Sequence, residues 1–88
     1  MYEIEWKEYA LKNLEKLSKD NQLRIISVLE RVKTNPFNYS KKLKGTPLFR
    51  FRVGDYRIIS DIQKNKMVIL VIDVGHRKNI YLKFKKLK

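Results

Sequence analysis

One segment of the chain, Leu48–Ile59, constrains the fold more than any other. Phe49, Phe51 and Val53 alternate with arginines, which is the pattern of a strand with one buried and one exposed face. Gly54-Asp55 separates this run from a second one of the same kind. A glycine followed by aspartate between two such runs predicts a β-hairpin with a two-residue turn.

The predicted turn also places three arginines together. Arg52 pairs with Arg57 across the hairpin, so these two residues and Arg50 share one face of the sheet. Like charges that oppose each other across strands destabilise a sheet. We therefore expect the three guanidinium groups to serve an anion, and phosphate matches their planar donor geometry. The alternatives are solvated strand residues at 50 and 52, and a surface ion pair of Arg57 with Asp55 or Asp61.

The charge distribution supports a polyanionic partner. The formal net charge is +12 over 88 residues. Residues 1–35 contain seven Lys/Arg and six Asp/Glu, whereas residues 36–88 contain fourteen and three. An uneven basic surface of this kind is the electrostatic footprint of nucleic-acid binding. A surface that serves only solubility is the alternative.

The composition excludes several classes of site. The chain has no cysteine, and its single histidine, His76, excludes sites that need two imidazoles, so we expect no metal and no cofactor. No apolar stretch approaches membrane-spanning length, and the N-terminus lacks a signal-peptide pattern. From these two observations we expect a cytoplasmic protein without a membrane partner. The length predicts one domain over residues 1–88.

The remaining patterns predict a small α+β domain of order β-α-α-β-β-β. Two amphipathic helices follow a short strand at Tyr2–Trp6, and the second ends at Asn35-Pro36 because the residue before proline disfavours the helical region. Pro36–Pro47 has the composition of a polar loop, and Met67–Val74, apolar on both faces, is typical of a central strand. Asn79–Lys88 fits either a last strand or a short helix. We expect both helices on one face of a mostly antiparallel sheet and the basic side chains on the other, concave face.

Several of these segments resemble the RelE toxins of type II toxin–antitoxin pairs, within the RelE/ParE superfamily. They are Leu43-Lys-Gly45, Phe49–Ile59, and Val74-Gly-His-Arg77 followed by Ile80-Tyr81. The resemblance spans nearly the whole chain, including the strand-helix-helix order. It implies a small ribonuclease that cleaves messenger RNA in the decoding site of the ribosome, without metal, and so inhibits translation. It also implies a RelB-like antitoxin, encoded adjacently, that wraps around the toxin and holds it inactive.

The resemblance assigns roles to individual residues. Arg50 and Arg52 occupy two strand positions that are basic in several relatives, often as lysine. Arg57 matches the basic residue after the hairpin turn, and Arg77 matches the one after the Val-Gly pair. Tyr81 matches a tyrosine that stacks on a base or takes part in proton transfer. The lysines expected to bind RNA are Lys44, in the Leu-Lys-Gly motif, and Lys41, Lys42, Lys78 and Lys83.

The chemistry of RNA cleavage leaves the proton acceptor open. The reaction needs a base for the 2′-hydroxyl, an acid for the leaving 5′-oxygen, and cations for the charge on the phosphorane. Arg57 and Arg77 suit the cationic role, but arginine is a poor base. His76 is a candidate acid or base because imidazole ordinarily titrates near neutral pH, and Tyr81 and Lys44 are further candidates. The structural alternatives are an exposed strand-end His76 and a Tyr81 that caps the core.

The position of Arg77 needs an irregularity in the predicted sheet. Strict alternation through residue 77 would send its side chain to the wrong face, so we expect Gly75 to mark a bulge or a strand end. An ion pair with Asp73, nearby in the sequence, is the alternative use of this arginine.

Two other functions fit the same features. Related toxins of this fold poison DNA gyrase, although they generally lack the full basic set. A non-catalytic RNA-binding module would bind phosphate strongly and with a steep salt dependence, but would not cleave RNA.

Overall fold

The hairpin turn at Gly54-Asp55 forms as predicted and sets the register of the sheet. In the computed structural model, which describes residues 1–84, Val53 pairs with Tyr56 and Arg52 pairs with Arg57. Gly54 has a φ of +58°. A positive φ at the first turn position is what a type II′ hairpin turn requires, and glycine adopts it without steric cost.

The described residues form one five-stranded sheet and three α-helices. The strands are β1 (Glu3–Trp6), β2 (Ser40–Lys42), β3 (Phe49–Val53), β4 (Tyr56–Gln63) and β5 (Val68–His76). The helices are α1 (Glu8–Glu15), α2 (Lys19–Val32) and α3 (Arg77–Lys83), and one 3-10 turn covers Pro36–Asn38. The sheet order is β1-β5-β4-β3-β2, and only β1 and β5 run parallel. The predicted α+β class with a mostly antiparallel sheet is therefore confirmed.

Two segments differ from the predicted order. The segment Pro36–Pro47, predicted as a loop, contains the 3-10 turn and β2. This strand has three polar residues and no hydrophobic alternation, and it forms by pairing with the edge of β3. The C-terminal segment, for which strand and helix were both open, forms α3. Residues 85–88 lie outside the described part of the chain.

The main core lies between the sheet and the first two helices. Its buried side chains include Ala10 and Leu14 from α1, Ile25, Leu29 and Val32 from α2, and Phe51, Ile58, Ile69, Val71 and Val74 from the sheet. A second, smaller cluster of Leu43, Ile59 and Ile80 lies apart from it and seats α3. None of the helices within residues 1–84 is long and apolar enough to cross a membrane.

The sheet irregularity lies at Ile72 rather than at Gly75. Ile72 is the one residue of β5 without a counterpart in β4, whereas the pairing continues regularly through Gly75 to His76. The strand ends at His76 and α3 begins at Arg77, so the side chain of Arg77 does not follow the alternation of β5. The expected strand end is therefore present, one residue after Gly75. Its backbone N–H donates a hydrogen bond to the carbonyl of Asp55 at 2.8 Å, which ties the start of α3 to the hairpin turn.

The start of α2 is capped by a side chain, which can be tested. The Ser18 hydroxyl accepts a hydrogen bond from the backbone N–H of Asn21 at 3.3 Å. We expect Ser18→Ala to lower the free energy of unfolding by about 1 kcal/mol, because it removes this cap. Urea denaturation would measure the loss. The control is Ser27→Ala at an exposed position of the same helix, and an equal loss in both variants would contradict the capping role.

Candidate nucleic-acid interface and active site

Four basic residues lie on the sheet surface opposite α1 and α2. Residues paired across neighbouring strands point to the same face. Lys41 pairs with Arg50, and Arg52 pairs with Arg57, whereas Phe51 between them points into the core. We call the surface formed by these four basic residues, together with the adjacent side of α3, the arginine face. The predicted placement of three arginines on one face is confirmed.

Arg57 is the buried member of this group. Only 1% of its surface is exposed. Its Nη1 donates hydrogen bonds to the carbonyls of Gly54 and Tyr56, both at 2.9 Å, while Nε is buried without a partner. The ion pairs within residues 1–84 do not include Arg57, so the alternative pairing with Asp55 or Asp61 is not formed. A buried cation without a counter-ion is costly, which favours an anion supplied from outside the chain.

Helix α3 brings Tyr81 and Arg77 to this surface. The two residues are four apart, so they lie on the same side of the helix, and Ile80 is fully buried beneath it. A hydrogen bond from the Arg57 guanidinium lowers the pKa of Tyr81 below its ordinary value of 10.0, and the charges of Arg57, Arg50 and Arg77 lower it further. The Tyr81 hydroxyl therefore marks the point where three arginines converge.

Lys83 holds the other end of α3. Its Nζ lies 3.1 Å from a carboxylate oxygen of Asp73 and donates to the Tyr9 hydroxyl at 2.8 Å. Asp73 is buried and also accepts a hydrogen bond from Asn13 of α1 at 2.8 Å. Asp73 thus pairs with Lys83, and the alternative ion pair with Arg77 is not formed. The structure engages Lys83, one of the lysines expected to bind RNA, in a contact within the fold.

His76 lies on the opposite face of the sheet from Arg57. It pairs with Tyr56, whose hydroxyl accepts a hydrogen bond from Asn21 of α2 at 3.1 Å. The two rings meet edge-on with centroids 5.7 Å apart. His76 Nδ1 accepts a hydrogen bond from the backbone N–H of Lys78 at 3.2 Å, so the side chain caps α3. The structure therefore does not bring His76 to the arginine face.

The remaining lysines are spread around the surface. Lys42 pairs with Phe49 and so points to the helix-bearing side of the sheet. Lys44 is exposed just after Leu43, whose side chain packs in the cluster beneath α3. Lys78 is exposed in the first turn of α3. The predicted site residues that the fold gathers on one surface are Lys41, Arg50, Arg52, Arg57, Arg77 and Tyr81.

One part of this surface was not predicted. A pocket of about 270 Å³ is lined by Asn38, Tyr39, Ser40, Lys41, Arg50 and Arg52. The sequence placed Asn38 and Tyr39 in a polar loop, and the available signal was an aromatic residue beside lysines in an otherwise polar segment. Within residues 1–84, no group of three Asp, Glu or His side chains is arranged to hold a metal ion.

Comparison with known proteins identifies the family. The family model described as the ParE toxin of the type II toxin–antitoxin system parDE matches residues 4–81. The chain belongs to this toxin family. A protein from Escherichia coli described as a RelE-like toxin is 29% identical over 79 residues, which cover 86% of this chain and 83% of that protein.

Solved structures of related proteins share the fold of the toxin. The RelBE2 toxin–antitoxin complex from Mycobacterium tuberculosis matches with a TM-score of 0.81 at 22% identity, covering 86% of this chain and 98% of that chain. The intact Escherichia coli RelBE complex matches with a TM-score of 0.76 at 27% identity, covering 86% of this chain and 96% of that chain. The RelB–RelE complex from Methanococcus jannaschii matches with a TM-score of 0.73 at 29% identity, covering 91% of this chain and 98% of that chain. The protein is therefore a type II toxin with the RelE/ParE fold.

The convergence of arginines on Tyr81 can be tested by titration. We expect two tyrosines of the wild type to ionise below pH 10.0, because the Lys83 hydrogen bond lowers the pKa of Tyr9 and the Arg57 hydrogen bond lowers the pKa of Tyr81. Only the first of these ionisations is expected to remain in Tyr81→Phe, so the difference between the two titrations gives the midpoint of Tyr81. The ultraviolet absorbance of tyrosinate would follow the ionisation. Added salt is expected to raise this midpoint by screening the exposed charges. An identical early ionisation in the wild type and in Tyr81→Phe would contradict the arrangement.

The Lys83 contact is expected to contribute to stability. We expect Lys83→Met to lower the free energy of unfolding by about 1–2 kcal/mol at pH 7, because buried Asp73 loses a partner. The Tyr9 hydrogen bond raises the pKa of Lys83 above its ordinary value of 10.5. The contribution is therefore fully present below pH 10.5 and is lost as the pH rises through the higher folded-state pKa.

Denaturation of two further variants controls this prediction. Lys12→Met removes a lysine from an exposed pair with Glu8, and we expect it to leave stability nearly unchanged. Lys83→Arg keeps the positive charge and is expected to retain part of the stability. A loss in Lys83→Met no larger than that in Lys12→Met would show that the Asp73 contact does not hold α3.

Proposed function

We propose that the toxin is an endoribonuclease that cleaves messenger RNA on the ribosome and so inhibits translation in the cytoplasm. The observation that carries the proposal is the convergence of Arg50, Arg57 and Arg77 on the Tyr81 hydroxyl. A cluster of guanidinium groups around one titratable hydroxyl combines charge stabilisation with proton transfer, the two requirements of phosphodiester cleavage by a 2′-oxygen.

The arginines supply the positive charge that the transition state needs. Arg52 and Arg77 are exposed and Arg50 is half-buried, so all three can reach a phosphate. Guanidinium groups donate two parallel hydrogen bonds to phosphate oxygens and remain charged at any physiological pH. Buried Arg57 is held by two carbonyls and acts from beneath the site, where it orients Tyr81. No metal or cofactor is part of this mechanism.

Tyr81 is the proposed proton acceptor. Its lowered pKa makes the phenolate accessible at a pH closer to neutral than for an ordinary tyrosine, which is the direction that a general base requires. The hydroxyl is on a side chain that is 42% exposed, so it can approach the 2′-hydroxyl of a bound nucleotide. The ribosome would align that hydroxyl with the phosphate for in-line attack, which accounts for catalysis with a weak base.

We further propose a RelB-type antitoxin as the partner that keeps the toxin inactive. The related structures from Escherichia coli and Methanococcus jannaschii are complexes of RelE with RelB. A net charge of +12 favours an acidic partner. Leu82 of α3 is 74% exposed and Phe84 is half-buried, and they offer apolar contacts to such a segment. Leu87, the third apolar residue of this tail, lies outside the described residues.

The family match also supports DNA gyrase as an alternative target. The matching family is named for ParE, and toxins of the same fold that act on DNA gyrase generally lack the full basic set. In this chain, five basic residues and Tyr81 lie together on the arginine face, and this combination favours RNA as the target. A module that binds RNA without cleaving it would share the basic surface but would not require the Tyr81 hydroxyl beside the arginines.

Cleavage of messenger RNA on programmed ribosomes tests the proposal. We expect the wild type to cut in the decoding site and both Arg77→Ala and Tyr81→Phe to lose about 100-fold in rate, because each removes one preorganised group. Both residues are exposed, so the variants are expected to fold. Lys16→Ala removes one positive charge from an exposed position at the end of α1, on the other side of the sheet from the arginine face, and is the control.

Three other outcomes would contradict parts of this proposal. Full cleavage by Arg77→Ala would show that this residue is not part of the catalytic site. RNA binding without cleavage by the wild type would support the binding module, and arrest of replication with intact messenger RNA would support a gyrase target.

The antitoxin proposal has a separate test. We expect a short acidic protein to be encoded beside the toxin, to restore growth when both are expressed, and to bind the toxin less tightly as salt rises. Neighbouring genes that encode no such protein would contradict this part of the proposal.

A further inference from the structure

Tyr39 is the one tyrosine without an internal partner among the five, all of which lie in the described part of the chain. Its ring makes no hydrogen bond, aromatic contact or cation–π contact with residues 1–84, and its surface is 56% exposed. The other four have these partners: Phe37 for Tyr2, Lys83 for Tyr9, Asn21 and His76 for Tyr56, and Arg57 for Tyr81. The Tyr39 ring is therefore available to a ligand.

The backbone holds Tyr39 at a defined place on the arginine face. Its N–H donates to the carbonyl of Pro36 at 3.3 Å, which closes the 3-10 turn, and β2 begins at the next residue. Ser40 pairs with Phe51, so Tyr39 lies opposite Arg52 in the continuing register. An aromatic ring presented from a fixed turn loses little conformational freedom on binding.

The pocket beside this ring has the chemistry of a nucleotide site. Tyr39 provides an aromatic surface, Asn38 provides an amide donor and acceptor, and no acidic residue lines the pocket. Lys41, Arg50 and Arg52 supply three positive charges. Proteins bind single-stranded nucleic acid with this pairing of basic groups for the backbone and an aromatic face for the base. A free phosphate would use the cations but leave the ring without a role.

We propose that this pocket binds the base of an RNA nucleotide next to the one whose phosphate is at Tyr81. The proposal rests on the proposed function in that the pocket serves the same RNA strand. Arg50 lines the pocket and its charge also acts on Tyr81, so it joins the two places. Tyr39 precedes β2, and Arg57, which contacts Tyr81, lies on β4. Two strand spacings, or roughly 10 Å, separate these strands. The next nucleotide along an RNA strand can span that distance.

Binding of a short single-stranded RNA tests this subsite without requiring cleavage. The RNA carries 2′-O-methyl groups, which block attack by the 2′-oxygen, and 2-aminopurine at one position at a time. We expect fluorescence quenching to be strongest at one position, where the base stacks on Tyr39. Tyr39→Ala is expected to lose this quenching and to bind roughly tenfold more weakly, within the range for loss of one base–aromatic stack. Tyr39→Phe keeps the ring and is expected to retain both.

A second exposed side chain serves as the control. Ile26 of α2 is 42% exposed and lies beside Ile4 and Trp6 of β1, at the opposite edge of the sheet from β2. We expect Ile26→Ala to bind the RNA like the wild type. Unchanged affinity and quenching in Tyr39→Ala would overturn the subsite, as would an equal loss of affinity in Ile26→Ala.

The outcomes separate this subsite from the proposed function. Quenching that depends on Tyr39, combined with no cleavage of an unmodified messenger RNA on ribosomes, would establish the base subsite and reject the nuclease. Cleavage that requires Arg77, combined with no effect of Tyr39→Ala on binding, would support the nuclease and reject the subsite. A wild type that does not bind the RNA would reject the subsite directly.

Discussion

The two-residue turn at Gly54-Asp55 is the constraint on which the rest of the site depends. Its register puts Arg52 opposite Arg57. The carbonyl of Gly54 is one of the two that hold the Arg57 guanidinium, and the carbonyl of Asp55 accepts the first hydrogen bond of α3. One turn therefore orders the hairpin face, places a buried cation beneath it and aims the helix that carries Tyr81. A type II′ geometry needs glycine at its first position, so a single small residue supports the whole arrangement.

Helix α3 is held at three points, which explains how so short a helix can hold the Tyr81 side chain in a defined place. Seven residues are too few for a helix to be stable by itself. Its first N–H bonds to the turn, Ile80 is fully buried in the middle, and Lys83 reaches Asp73 and Tyr9 at the end. The side of the helix between these contacts carries the site. A lysine that the sequence predicted to bind RNA is thus engaged within the fold, and the proposed contacts with RNA are left to the arginines.

The parts of the fold that could be predicted are those with a strong local pattern. The alternation in β3 and the glycine of the turn predicted the hairpin and its face, and the two amphipathic helices followed from their apolar spacing. Strand β2 has three polar residues and no such pattern, since it exists only because β3 offers an unpaired edge. The pocket at Tyr39 was missed for the same reason, because it is formed where β2 meets β3. His76 was placed beside Arg77 by sequence proximity, but alternation along β5 turns its side chain to the other face.

The sequence by itself determined the excess of positive charge, the turn that places three arginines on one face, and the resemblance that pointed to a toxin. These follow from residue types and from periodicities of two and 3.6, which act over a few neighbours. Only the tertiary structure decided which charged groups remain available to a ligand. The contacts that decide this join distant residues: Asn13 to Asp73 across 60 positions, and Tyr9 to Lys83 across 74. No local pattern encodes such pairs, because they form only when the sheet order brings α1, β5 and α3 together.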